Sequence, residues 1–452
     1  MFFAASIEKF IKGGDKRSVR LKKNIVTSFL IKGLSIAINF SIVPLTIDYV
    51  DSVQYGIWLT LTSIISWFTF FDFGMGNGLR NQLAKAVALN EYNKAQKYIS
   101  TTYVVFGIIA LSVFLLFFLV NPFINWNRFL NIPVVVDEDL HWILLLVLGC
   151  FCIQFVLQLL NTVLVALQEP AKADFITLLG QIGLLITLLI FKNNVKGSLS
   201  VLAIALYLSP LLVLTIASLL YYNRKLKLLA PSFKRIDFKY VRSIMNLGGT
   251  FFLIQIGAMI LFQTDNIIIA NILGPEAVTA FNVAYKLYSI LLLLFSIIVT
   301  PYWSAFTEAY AKKDFEWINS NIKGLREIWL VVSLLVTPVF LLLSKYLFKL
   351  WLPDSVTIDF SLSMIMAVYI IFYNCLALNC YFLNGVGKLR LQLVLYLLVS
   401  ITNIPLAIML GKIWGVEGVI SANIIGFLFM NLVLWIQTNK LLRQKAVGIW
   451  NA

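Results

Sequence analysis

Three ionisable side chains stand where apolar sequence surrounds them: Lys32 in "TSFLIKGLSIAINF", Asp265 in "MILFQTDNIIIANIL" and Lys286 in "VAYKLYSILLLLF". A charge in such surroundings is costly unless it is paired or hydrated, so each marks a functional position by default. Neither lysine is alone on its helix face. Ser28, Lys32, Ser35, Asn39 and Thr46 recur at steps that return to one side of a helix, with Ile42 as the apolar member. Asn282, Lys286, Ser289, Ser296, Thr300 and Ser304 do the same, interrupted by Leu293. At about 3.6 residues per turn each series is a longitudinal polar stripe carrying one lysine. Such a face is expected to meet a hydrated cavity or a neighbouring helix. Lys32, Ser35, Asn39, Asn282, Lys286 and Ser289 are therefore the candidates for a substrate cavity.

Asp265 precedes the turn at 274–276 by about ten residues and Lys286 follows it by about ten, which gives both a depth of roughly 15 Å in an antiparallel hairpin. Two arrangements fit. They form a structural ion pair, or Asp265 titrates or binds a coupling cation while Lys286 meets an anion or points elsewhere. A further motif, "FDFGMGNGLRN" at 71–81, interrupts the apolar sequence with an aspartate, three glycines, two asparagines and an arginine. Asp72 marks a membrane boundary, Gly74, Gly76 and Gly78 around Asn77 permit a tight turn with exposed amides, and Arg80 is placed near lipid phosphates. The motif reads either as a helix terminus with an interfacial anchor or as a cytoplasmic gate.

No catalytic constellation accompanies these groups. There is no phosphate-binding loop, zinc spacing or Ser-His-Asp arrangement, and His141 is the chain's single histidine. Cys150, Cys152, Cys375 and Cys380 all lie in apolar segments and read as free thiols, with no metal site. Gln154, Gln158, Asn161 and Gln168 form a row suited to interhelical hydrogen bonds. Trp58, Tyr302, Trp303 and Trp351 near span ends read as an interfacial belt.

The elements that must hold these residues follow from composition. Over 452 residues the chain is 60% hydrophobic and 13% charged, with a mean hydropathy of +0.89, too little charge to cover a soluble surface. Apolar runs of about 20 residues, long enough to cross the bilayer, predict an all-α polytopic membrane protein. About twelve spans are expected, at 24–47, 55–73, 98–121, 141–168, 173–191, 198–222, 244–273, 277–305, 325–350, 359–384, 389–410 and 416–439. Pro44, Pro210, Pro338 and Pro405 lie within them, where a buried bundle tolerates kinks. The net charge of +15 sits between spans rather than in one basic block, which favours a membrane over nucleic acid. Placing both termini in the cytoplasm puts 28 of the 36 Lys and Arg residues on the inner side, as the positive-inside rule requires. The basic segment 223–243 divides the chain into a lobe at 1–222 and a lobe at 244–452, six spans each. Sliding the chain by 223 residues superposes these halves without gaps over 55–99, and the same shift matches Thr27 to Thr250, Phe29 to Phe252, Glu91 to Asp314 and Ile99 to Ile322. Two parallel halves are a common transporter plan.

"YGIWLTLTSIISWFTFFDFGMGNGLRNQLAKA" and "QTDNIIIANILGPEAVTAFNVAYKLYSI" resemble the polysaccharide exporters of the multidrug/oligosaccharidyl-lipid/polysaccharide superfamily, in particular the O-antigen (Wzx-type) flippases. The resemblance implies a V-shaped pair of six-helix bundles of the MATE kind, working by alternating access in a bacterial inner membrane. It implies an undecaprenyl-diphosphate-linked oligosaccharide as cargo, moved from the inner to the outer leaflet, and envelope polysaccharide polymerase machinery as a partner. Lys32 and Lys286 lie on two of the four helices that line the cavity in that family, and "FDFGMGNGLRN" then reads as part of its cytoplasmic gate. No cofactor is expected; a proton or sodium gradient is the expected drive, with Asp265 the leading residue for coupling. The competing readings are a small-molecule antiporter of the same superfamily, which a cationic cavity disfavours, and a membrane enzyme of envelope glycan synthesis.

Overall fold

The computed structural model describes residues 16–50, 72–126, 139–194, 197–351 and 358–452, together with Gln54 and Trp58. All regular structure among these residues is helical. The first half holds α1 (Lys16–Val50), α2 (Met75–Ala88), α3 (Tyr92–Val120), α4 (Leu140–Leu157), α5 (Leu159–Ala166), α6 (Pro170–Asn194) and α7 (Leu199–Asn223). The second holds α8 (Lys239–Leu273), α9 (Pro275–Ala311), α10 (Phe315–Val331), α11 (Thr337–Trp351), α12 (Phe360–Val386) and α13 (Arg390–Leu442).

Ten helical stretches among the described residues are long and apolar enough to cross a membrane. The longest, α13, contains two of the expected spans, because Gly415 at φ 65° and ψ −141° leaves the helical path inside it. The expected second span, 55–73, lies almost wholly outside the described residues. Two other expected spans are interrupted. Gln158 parts α4 from α5, and a π-helical turn at Val332–Val336 joins α10 to α11. Pro338 explains the latter: it has no N–H for the carbonyl four residues back, and its ring crowds that turn. The Thr337 hydroxyl instead donates to the Val332 carbonyl at 2.9 Å.

The chain divides into two compact units, 1–248 and 249–452. The basic segment expected to link two lobes is packed into the first. Leu226, Leu229 and Ile244 share a core with Met75, Leu79, Leu83 and Ile99. The Ser232 amide donates to Ser100 Oγ at 3.0 Å, and Thr101 Oγ1 both accepts from the Asp237 amide and donates to its carbonyl, at 3.0 and 3.3 Å. Lys97 adds an ion pair with Asp237 at 3.2 Å. The boundary therefore falls inside α8. In the first unit α6 packs against α1 and α7, α7 against α4, and α2 against α3 and α5. In the second, α12 lies between α9 and α13.

The 223-residue offset is written into the backbone. α1 and α8 are 35 residues each and start at positions related by that shift, and α2 and α9 end at Ala88 and Ala311. After them the chain turns identically. Leu89, Asn90 and Glu91 donate to the carbonyls of Lys85, Val87 and Ala86; Lys312, Lys313 and Asp314 donate to those of Glu308, Tyr310 and Ala309. The turn residue is left-handed in both, φ 60° at Asn90 and 59° at Lys313, which closes the helix end by satisfying its last carbonyls.

Candidate functional site

In the first unit the α1 stripe is packed at its ends and open between them. Ser28 is buried and donates to Asp174 Oδ2 on α6 at 2.8 Å, and buried Thr46 returns to the Ile42 carbonyl at 2.8 Å. Lys32 and Ser35 are half-buried, and Asn39 is exposed. The stripe thus meets a neighbouring helix at Ser28 and is open around Asn39.

The α9 stripe is more open. Asn282 and Lys286 are exposed, and Ser289, Ser296 and Thr300 are half-buried. The other face of α9 carries Tyr288, Leu291, Phe295 and Val299, all at most 2% exposed. The stripe hydroxyls donate to their own helix: Ser289 to the Lys286 carbonyl at 2.8 Å, Ser296 to that of Leu293 at 2.8 Å, and Thr300 to that of Ser296 at 2.6 Å. A hydroxyl with its proton so committed presents lone pairs outward. Asn282 bridges to Asn266 Oδ1 on α8 at 2.7 Å. The Lys286 ammonium lies over the Trp351 ring, 5.9 Å from its centroid. Together these make a cationic face, rich in acceptors, suited to an anion bearing hydroxyl groups.

Asp265 does not pair with Lys286, and the ion-pair arrangement is set aside. The carboxylate turns inward to α13 while the lysine stands on the exposed side of α9. Asp265 is 3% exposed, and its Oδ2 accepts from Asn423 Nδ2 at 2.7 Å. Asn403 Nδ2 in turn donates to Asn423 Oδ1 at 3.1 Å. Among the described residues Asp265 Oδ1 and Asn403 Oδ1 are buried with no hydrogen-bond partner, which leaves a carboxylate oxygen able to receive a proton and an amide oxygen able to accept a hydrogen bond or ligate a small cation. Sequence reasoning missed Asn403 and Asn423. The available signal was their amides within the apolar spans of α13, which need partners inside the protein.

"FDFGMGNGLRN" is a packed junction rather than an exposed turn. Asp72 Oδ1 accepts from the Gly74 amide at 2.8 Å, and left-handed Phe73 and Gly74, φ 48° and 72°, lead directly into α2. Gly76, Asn77 and Gly78 are inside that helix. A Cβ on Gly78 would stand 2.5 Å from the Ile244 carbonyl oxygen, and one on Gly248 would stand 3.0 Å from that of Gly74. The glycines therefore let α2 and the start of α8 touch backbone to backbone. Arg80, expected at lipid phosphates, is 8% exposed, because it lies on the inward side of α2 with Leu79 and Leu83. The lipid-anchor reading of Arg80 is corrected accordingly.

Two aromatic assignments also change. Trp58 and Trp303 are buried, at 5% and 7% exposure, Trp303 within 5.4 Å of the Phe251 ring and 5.7 Å of the Tyr381 ring. Trp351 is exposed. In the glutamine row, Gln168 takes part through its backbone carbonyl, which accepts from Asn24 at 2.7 Å. His141 Nδ1 lies 3.0 Å from the Asn121 carbonyl oxygen, and the four cysteines are free.

Comparison with known proteins places this geometry. The polysaccharide biosynthesis protein family matches residues 21–306, and the MatE family matches residues 251–409. A candidate O-antigen transporter of Salmonella typhimurium is 23% identical over 415 residues, covering 89% of this chain and 92% of its own. A candidate O-antigen export protein of Yersinia pseudotuberculosis is 20% identical over 372 residues, covering 79% and 81%. Among solved structures, a point mutant of a MATE protein superposes with a TM-score of 0.78 at 13% identity, covering 96% of this chain and 98% of its own. An outward-facing multidrug resistance MATE transporter of the MOP superfamily gives 0.76 at 12% identity, with the same coverage. This chain is an all-helical membrane protein with the MATE transporter fold, and it belongs to the polysaccharide biosynthesis protein family, among homologues of O-antigen transporters and not among enzymes.

Proposed function

We propose that the protein is a flippase that carries an undecaprenyl-diphosphate-linked oligosaccharide from the inner to the outer leaflet of a bacterial inner membrane by alternating access. The observation that carries this reading is the exposed stripe of α9, where Asn282, Lys286 and Ser289 put one cation and several acceptors on an open face of an apolar span. An ionised diphosphate with attached sugars does not cross hydrocarbon unaided, since the cost of removing its hydration is many kcal/mol. A cationic polar face replaces that hydration, while the polyprenyl tail stays in lipid. Lys32, nearer the inner side by the basic-residue count, receives the diphosphate or an acidic sugar, and Lys286 holds it later in the cycle. Ser35, Asn39, Asn282 and Ser289 hydrogen-bond sugar hydroxyls permissively. Asp72, Gly74, Gly76, Asn77, Gly78 and Arg80 act as a cytoplasmic gate built on a close helix contact. Asp265 is the coupling group, because its unmatched buried oxygen can take up a proton or sodium ion. The product then passes to envelope polysaccharide polymerase machinery.

The test is depletion of the protein in its host, followed by a membrane-impermeant sugar-oxidising label that reports the leaflet of the lipid-linked oligosaccharide. Accumulation on the cytoplasmic leaflet, relieved by the native protein and not by Lys32→Ala/Lys286→Ala, is the expected result. Unchanged sidedness in a strain without a redundant transporter overturns the reading in favour of a small-molecule antiporter.

A further inference from the structure

A second cationic feature of the first unit lies apart from the α1 stripe. Near the start of α1 and α6 a cavity of about 420 Å³ is lined by Arg20, Lys23, Asn24, Ile31, Lys172 and Phe175, among others. Helix geometry separates it from the transport stripe. On α1, Arg20, Asn24, Thr27 and Ile31 share one face, and Lys32, Ser35 and Asn39 lie about a quarter turn away. The wall is built: Asn24 is tied to the Gln168 carbonyl, and Ser28, one turn further, to Asp174, so α1 is fixed against α6 along the cavity.

Its charge is strongly unbalanced. Glu169 is the carboxylate at the rim, and it is already engaged by Lys172 at 2.6 Å and Lys225 at 2.9 Å. Partial burial works against the charged form of Glu169, yet the hydrogen bonds from these two lysines outweigh it and hold the carboxyl below its ordinary range. Arg20 and Lys23 are exposed, and no ion pair among the described residues engages them. Arg20, Lys23 and Lys172 against Glu169 leave an excess of two positive charges around an opening that also has an apolar side, formed by buried Ile31 and exposed Phe175. The basic-residue count puts this end of α1 on the cytoplasmic side.

We propose that this cavity binds the head group of a resident anionic phospholipid of the inner leaflet, with phosphate at Arg20 and Lys23 and an acyl chain along Ile31 and Phe175. Cationic recesses between membrane helices on the cytoplasmic side recognise anionic head groups by this combination of charge and apolar wall. The occupant is a phospholipid and not the cargo, because the site lies about a quarter turn of α1 away from the face that carries the transport stripe. Its existence does not depend on what the protein transports.

The experiment is lipid titration of the purified full-length protein, read by native mass spectrometry, with phosphatidylglycerol, cardiolipin, phosphatidylethanolamine and undecaprenyl diphosphate as separate probes. Affinity is expected to rise with head-group charge among the three phospholipids. Arg20→Ala/Lys23→Ala should weaken cardiolipin binding by about 30-fold, at roughly the worth of two basic residues near a membrane surface. Glu169→Gln should strengthen it, by freeing Lys172 and Lys225. Lys234→Ala/Arg235→Ala, which removes two exposed charges elsewhere on the same unit, should leave it unchanged, with thermal unfolding confirming that each variant is folded. Equal affinity for phosphatidylethanolamine, equal losses in the two double variants, or displacement of bound phospholipid by undecaprenyl diphosphate would each overturn the proposal.

Discussion

The two units repeat the same turn at 89–91 and 312–314, yet they treat the helix before it differently. In the second unit α9 runs unbroken from Pro275 to Ala311, through Phe295, Ser296 and Ile297. At the positions 223 residues earlier the first unit has Asp72, Phe73 and Gly74, two of them left-handed, and α2 starts only at Met75. Phe295 packs into the core at 2% exposure, whereas Asp72 bends the chain through its bond to the Gly74 amide. One unit thus keeps an unbroken helix beneath its polar stripe, and the other has a break at a backbone-to-backbone contact. The buried acid is also one-sided: Asp265 corresponds to Ile42, an apolar core residue. A duplicated scaffold retains the turns that terminate its helices and diverges where charge and helix breaks confer different tasks.

That division of labour can be broken experimentally. The largest effect is expected from Lys32→Ala/Lys286→Ala, which should cut transport by at least about 100-fold if each lysine makes one charged hydrogen bond worth about 1.5–3 kcal/mol. The unfolding temperature should stay unchanged, and the single Lys286→Ala change should cost more than Lys32→Ala, since Lys286 is the more exposed. Gly78→Ala should destabilise the first unit by about 1–3 kcal/mol through collision with the Ile244 carbonyl, measured by thermal unfolding in detergent. Thr101→Val removes both bonds to the Asp237 backbone and should cost about 1 kcal/mol, with faster proteolysis of the basic segment. The corresponding residue in the second unit is Gly324, whose Cβ would meet nothing within 4 Å. Gly324→Ala should therefore stabilise α10 by up to about 1 kcal/mol.

The parts legible in the sequence were those governed by periodicity and hydropathy. The spans, the polar stripes and the repeat at Glu91 and Asp314 need only the local spacing of residue types. Contacts between distant segments were not legible. Nothing near "MGNG" announces that Gly78 faces Ile244, so a packing glycine looks like a turn glycine. Arg80 looks like an anchor because its burial depends on α2 continuing through those glycines. Asp265 stands 158 residues from Asn423, and its nearest cation along the chain, Lys286, is the natural yet incorrect partner to weigh. Trp303 misleads for the same reason: rings at a span end look interfacial until the helix opposite is known.

The decisive experiment is reconstitution of the purified protein in vesicles, with lipid-linked oligosaccharide initially in one leaflet and an impermeant reagent reporting its appearance in the other. Transport across a cationic stripe predicts protein-dependent transfer that is lost in Lys32→Ala/Lys286→Ala while the variant remains folded. Transfer at the native rate in that variant would contradict it.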